Sequence, residues 1–264
     1  MKHIAKRRGL FNALALTALL PISASAQSEG EDYLKLLGSL ASIASPPDHT
    51  SIQGVASASI APAGYVFAGV SGTTNDTDGG VNGIDGSITI GAGLGNFGDV
   101  ETQATVNITS VHPSDFADSG NFGFKFGTTL ETSDKPIKVS LSFDNLGGWG
   151  DSSNDIVTTT LAASSSATRY MANGTSSYAW TLGVKSISGD SPSAGISGFA
   201  GLSLGLSETF SVSTAYDTRS EAIKLGTSIK VNDVTSVALT ANDPFDMGEG
   251  QGITLTVSFA SKLF

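Results

Sequence analysis

From residue 51 almost to its last residue the chain alternates apolar and polar side chains with a period of two. Phe122, Phe124 and Phe126 alternate with Gly123, Lys125 and Gly127, and Ile137, Val139, Leu141 and Phe143 with Lys138, Ser140, Ser142 and Asp144. Tyr178, Trp180, Leu182 and Val184 interleave with Ala179, Thr181, Gly183 and Lys185, and Ile223, Leu225, Ile229 and Val231 with Lys224, Gly226, Ser228 and Lys230. Extended chain sorts such residues onto two opposite faces, one greasy and one polar. The pattern predicts strands at 51–60, 65–72, 83–95, 100–111, 120–130, 136–146, 155–164, 176–187, 194–205, 209–217, 221–231, 234–242 and 250–260. Most have about ten residues, twice the globular average. A helical bundle is excluded on the same grounds, since 32 glycines in 264 residues would weaken helices at nearly every turn.

The connections carry a second regularity. Ala61-Pro62-Ala63-Gly64, Asn96–Asp99, Glu131–Lys135, Leu206–Glu208 and Asn232-Asp233 are tight, and they alternate with longer links at 73–82, 112–119, 147–154, 188–193 and 243–249. The stretch 164–175 is long where a short turn is due, which leaves 155–164 the weakest of the strands.

The first 50 residues read differently. Lys2, Lys6, Arg7 and Arg8 precede an apolar run from Leu10 to Leu20, and Ala24-Ser25-Ala26 supplies a small-x-small cleavage site, so residues 1–26 read as a signal peptide. The run is too short to span a bilayer, which takes about 20 apolar residues. Within 27–50, Ser28 to Ser45 reads as a helix: Ser28 and Glu31 form a capping-box pair, Leu36, Leu37, Leu40, Ala41 and Ala44 share a face, and Pro46-Pro47 stops it. Residues 51–264 are then a single β-domain.

Charge narrows the partners. The chain carries a formal −10, and loss of the four basic residues before Ala26 leaves ten bases against 24 acids. Such a surface repels phosphates, so nucleic acid is not a partner. There is no cysteine, which excludes disulfides and thiolate metal sites and suits an oxidising compartment.

A signal peptide, about a dozen amphipathic ten-residue strands, alternating turn lengths, acidic Gly/Asn/Asp-rich loops and a terminal Phe264 together resemble the outer-membrane β-barrel proteins of Gram-negative bacteria, including porins. No motif points to one family among them. The resemblance implies an all-β fold, an antiparallel membrane barrel whose greasy face meets outer-membrane lipid and whose polar face lines a lumen. It also implies an even number of strands with both termini on the periplasmic side, whereas thirteen segments alternate. Removing 51–60 as a non-spanning segment gives 12 strands, within a range of 12 to 14; alternatively, the N-terminal helix threads the lumen and delivers the first strand from the far side. Barrels of this kind end in a strand whose final Phe continues the apolar phase. Here Ile253, Leu255, Val257 and Phe259 keep phase but Phe264 does not, so either a bulge near Ser261 shifts it or the terminal Phe is coincidental.

Few residues suggest chemistry. His112, in His112-Pro113-Ser114-Asp115 on a long loop, lacks a visible partner that would make it a general base, and a solvated turn explains it; His49 beside Asp48 has still less to support it. Asp76, Asp78, Gly79 and Asp85 match positions 3, 5, 6 and 12 of a calcium loop, but Thr74 stands at position 1, Asp85 replaces the usual Glu and no helices flank them. An acidic surface loop is the plainer reading. No catalytic residue, metal site or cofactor is expected, and the chain does not read as an enzyme.

The polar phase is the informative face. It is mainly Ser, Thr, Gly and Ala, with Glu101, Gln103, Asn107, Lys125, Lys138, Asp144, Lys185, Lys224 and Lys230 as the residues expected to line the lumen. Eight strands close around packed side chains, so about 12 enclose room for water or for a plug. The reading is an outer-membrane barrel of porin-like type that passes small polar solutes or has a structural role, its lumen open, plugged or filled. The alternative is a secreted or surface-attached soluble β-sandwich or adhesin-like binding protein, whose greasy faces would meet in a core between two sheets.

Overall fold

The computed structural model describes residues 52–77, 80–111, 115–132, 135–171, 174–188, 194–247 and 251–263, with backbone alone for 75–85 and 168–175. Twelve strands form one antiparallel sheet that closes on itself. They are β1 (Tyr65–Thr77), β2 (Gly80–Phe97), β3 (Val100–Ile108), β4 (Gly120–Leu130), β5 (Ile137–Trp149), β6 (Thr158–Met171), β7 (Gly174–Ile187), β8 (Gly195–Gly205), β9 (Phe210–Asp217), β10 (Ala222–Lys230), β11 (Thr235–Asn242) and β12 (Gly252–Lys262). Each strand pairs with its neighbours in sequence, and β1 pairs with β12 from Tyr65↔Lys262 to Asn75↔Gly252 without a register shift. Closure leaves no sheet edge, and it rules out the β-sandwich. It also leaves no bulge at Ser261 to shift the C-terminal phase. Phe264 itself lies outside the described residues, as do the signal-peptide segment 1–26, the helix 28–45 and His49.

The alternation is explained by which face water reaches. Large apolar residues stand exposed on the outer face: Leu161 on β6, Leu182 on β7, Leu202 on β8, Ile229 on β10, Leu239 on β11 and Leu255 on β12. Leu239 lies directly opposite Leu255, and Phe126 on β4 opposite Leu141 on β5, so the apolar surface continues from strand to strand. Leu182 is 53% exposed and Leu202 60%. In water such a surface would be a large liability; against lipid it is the stable arrangement. The inner face of the sheet holds Ser140, Ser142, Thr160, Thr181, Ser203, Ser213 and Ser228, all buried.

Turn lengths also follow from the fold, with two departures from expectation. β6 and β7 run to Met171 and from Gly174, so the stretch expected to be an over-long loop is strand, and the connection there is only 172–173. Ser164 to Ala167 defeated the period-two reading because small residues stand on both faces. Of the expected long link at 73–82, residues 73–77 and 80–82 are likewise strand. Thr73 pairs with Asp85, Asp76 with Val81 and Thr77 with Gly80, whereas Asp78 and Gly79 of the calcium-loop pattern lie outside the described residues.

The first alternating segment, 51–60, is not a strand, as a count of 12 requires. It ends in a β-turn in which the Tyr65 amide donates to the Pro62 carbonyl at 3.0 Å. Gly64, at φ 78°, supplies the left-handed residue that such a turn needs third in sequence, after Pro62 and Ala63.

Candidate functional site: a lumen with a segment inside it

Residues 52–63 lie against the inner face of the barrel and pass from the β9–β10 wall round to β2 before turning into β1. An extended segment outside any sheet must find partners for its own amides and carbonyls, and here the wall side chains supply them. The Gln53 amide donates to Ser213 Oγ at 3.2 Å, the Ala58 amide to Ser164 Oγ at 2.8 Å and the Ala61 amide to Gln103 Oε1 at 2.8 Å. In the other direction Thr181 Oγ1 donates to the Ala56 carbonyl at 3.0 Å. Ser164 Oγ in turn donates to Thr181 Oγ1 at 2.8 Å, so one relay runs from the Ala58 amide through two hydroxyls to the Ala56 carbonyl. Lys125 Nζ reaches the Ser57 carbonyl at 2.9 Å and the Ser59 carbonyl at 3.4 Å. Charged hydrogen bonds of this kind are worth about 1.5–3 kcal/mol, against about 1 for neutral ones, so Lys125 is the strongest single anchor.

Backbone can come this close only where the wall is bare. A Cβ on Gly93 would stand 2.0 Å from the Pro62 carbonyl oxygen, one on Gly201 2.6 Å from Ile52 Cγ2, and one on Gly226 2.5 Å from Gln53 Cβ. The glycines of the inner phase are therefore a track for 52–63. Beneath it, Val55 packs on a buried cluster of Ala58, Ala162 and Phe199. Phe199 breaks the rule that the inner phase is small and polar. It is the one large apolar residue of β8 in that phase, and that was its signal in the sequence.

The residues expected to line the lumen all fall in the inner phase, but they are not alike. Gln103 and Lys125 bind the segment. Asn107 is held by its neighbours: it accepts from Thr89 Oγ1 at 2.8 Å, and its Nδ2 donates to Asn121 Oδ1 at 2.8 Å. Asp144 accepts from Ser142 Oγ at 3.2 Å. Lys185 lies 3.1 Å from Asp217, and Lys230 lies 2.9 Å from Asp233 in the β10–β11 turn. That contact holds the exposed Asp233 carboxyl below its ordinary range, chiefly through the hydrogen bond from Lys230. The Lys224 side chain lies against Gly54. Glu101 stands opposite Gly127, and Lys138 opposite Ser164. Asp217 carries no distinguishing signal in the sequence, because it closes β9, where a loop carboxylate looks the same.

The long-link end is braced as well. Trp149 Nε1 donates to the Ala117 carbonyl at 3.0 Å, and its ring lies 5.4 Å from that of Phe122. Asp115 is described but His112 and Ser114 are not, so the His112 reading lies outside the described residues. Among the described residues no cluster of His, Asp and Glu could hold a metal.

A closed twelve-stranded antiparallel sheet, apolar outside and polar inside, defines a membrane β-barrel of the outer-membrane type. Neither a protein-family model nor the sequence of a curated protein matches the chain. Among solved structures it is similar to the Acinetobacter baumannii outer membrane protein Omp33, with 12% identity, 75% of this chain and 97% of that one covered and a TM-score of 0.42. It is also similar to the KdgM porin, at 10% identity, 73% and 98% coverage and 0.47. An outer-membrane channel from Pseudomonas putida F1 aligns at 9% identity, 82% and 98% coverage and 0.49.

Proposed function

We propose that this protein is exported by the signal peptide 1–26, resides in the outer membrane and passes small polar solutes through its lumen by diffusion, without catalysis. The observation that supports this most is the pairing of a continuous apolar exterior with an interior of hydroxyls and amides in a sheet of 12 strands, more than side chains alone need to fill. Glu101, Asn107, Lys138, Asp144, Lys185, Lys224 and Lys230 belong to the wall that such solutes would meet, Gln103 and Lys125 hold the segment against it, and lipid is the partner outside. The segment 52–63 against that wall favours a second reading, a plugged barrel with a structural role.

Folded protein extracted from an outer-membrane fraction should migrate differently in SDS before and after heating and should conduct ions once reconstituted in a planar bilayer. A heat-modifiable barrel that never conducts would favour the structural reading; protein that remains in the soluble fraction would contradict both.

A further inference from the structure

The stretch 52–63 has two unlike sides. Ala58 and Ile60 are buried against the wall, at 1% and 5% exposure, whereas Gly54, Ala56 and Ser59 are exposed on the other side. Inside a closed barrel that other side can face only the remaining lumen. The segment touches β9 through Gln53, β7 through Ala56, β6 through Ala58, β4 through Ser57, β3 through Ala61 and β2 through Pro62, so it takes up cross-section along more than half of the inner circumference. Wall side chains of Ser213, Thr181, Ser164 and Gln103 supply bonds to it, and Lys125 adds a charged one.

We propose that residues 52–63 are the constriction of this lumen and that Lys125 is the positioning residue that holds them on the wall. This rests on the reading that the barrel conducts. Solute size is then limited by the exposed edge of the segment at Gly54, Ala56 and Ser59. The Lys125 ammonium, capped by two carbonyls, acts on solutes through the position of that edge.

The absence of cysteine makes a direct test possible. Full-length Ser59→Cys protein in a planar bilayer is treated with a small methanethiosulfonate reagent, with wild-type protein as the reagent control. Ser59 is exposed, and its bonds to Lys125 and Ser57 are made by its backbone, so this variant should assemble normally. Its current should fall on modification while wild-type current stays constant, and Lys125→Met, checked for heat-modifiable mobility, should raise single-channel conductance. A wild-type barrel that is closed but opens when 52–60 is deleted would overturn the constriction and make the segment a plug. Unchanged current in modified Ser59→Cys channels would overturn the constriction and leave the passage reading intact. No current from either wild-type or the 52–60 deletion would overturn the passage reading, and the constriction with it.

Discussion

Lys185 on β7 and Asp217 on β9 form an ion pair 3.1 Å long that reaches past the intervening strand β8. Asp217 is fixed from its other side by the Arg219 amide, which donates to Oδ1 at 2.8 Å. A count of lysines on the polar phase, five against Glu101 and Asp144, predicts a preference for anions. The pair removes much of that excess: Asp217 joins the acids, and Lys125 and Lys230 each have a local acceptor. Asp217→Asn should therefore move the reversal potential in a salt gradient toward anion selectivity, and Lys185→Met should move it the other way, both more weakly at high salt. Stability should fall as well, because Asp217 is buried and either substitution leaves a polar or charged group without its partner, a loss of about 1–3 kcal/mol. Equal reversal potentials in both variants would show that this pair lies off the ion path.

An arginine tells the two faces apart at neighbouring positions. Leu182→Arg puts a cation against lipid, a cost of about 2–4 kcal/mol near the bilayer midplane. Thr181→Arg would be mild in an empty lumen, but Thr181 is 2% exposed and bonded to Ala56, so the larger side chain must displace the segment. Both variants should lose folded barrel on unheated gels. Deleting 52–60 should restore Thr181→Arg and leave Leu182→Arg defective; rescue of both, or of neither, would contradict the placement of the segment.

Glycines of the inner phase offer a comparison at the scale of one methyl group. Gly93→Ala would drive a Cβ into the Ala61 and Pro62 carbonyls, whereas on Gly69 the nearest atom is Ser258 Oγ at 3.8 Å. Gly93→Ala should cost about 1–3 kcal/mol, as overpacking does, and lower the temperature at which the barrel unfolds in SDS. Gly69→Ala should leave it unchanged. Identical behaviour would mean that the segment yields freely to the wall.

Exported protein should begin at Gln27, after Ala24-Ser25-Ala26. N-terminal sequencing reads this directly, and an intact Met1 on protein in the outer membrane would refute the signal peptide.

Much of the fold could be read from side chains because a barrel strand has one environment on each face. The alternation at Phe122–Gly127 and Tyr178–Lys185 therefore marks both strand and facing. Where both faces carry small residues, as at Ser164 to Ala167, the signal vanishes, and β6 and β7 extend beyond the alternating stretch. Segment 51–60 alternates too, and the even strand count is what takes it out of the sheet. Any extended chain with one side against a surface alternates, and Ala58, Ser59 and Ile60 do so without belonging to a sheet. Its partners were illegible because they lie far away in sequence: Lys125 meets Ser57 across 68 residues, and Ser164 meets Ala58 across 106. What could have been noticed is that Gly93, Gly201 and Gly226 all fall in the inward phase, where a bare wall asks what lies against it.

Passage requires that water and solute share the lumen with the segment. Liposomes loaded with the purified, heat-modifiable barrel and diluted into isosmotic solutions of uncharged polar solutes of increasing size test this directly. Swelling should be fast for the smallest solutes and fall off sharply as size increases, with the cutoff moving to larger solutes in Lys125→Met. Liposomes that swell in none of the solutes, with folded barrel in their membranes and also in the 52–60 deletion, would contradict the account.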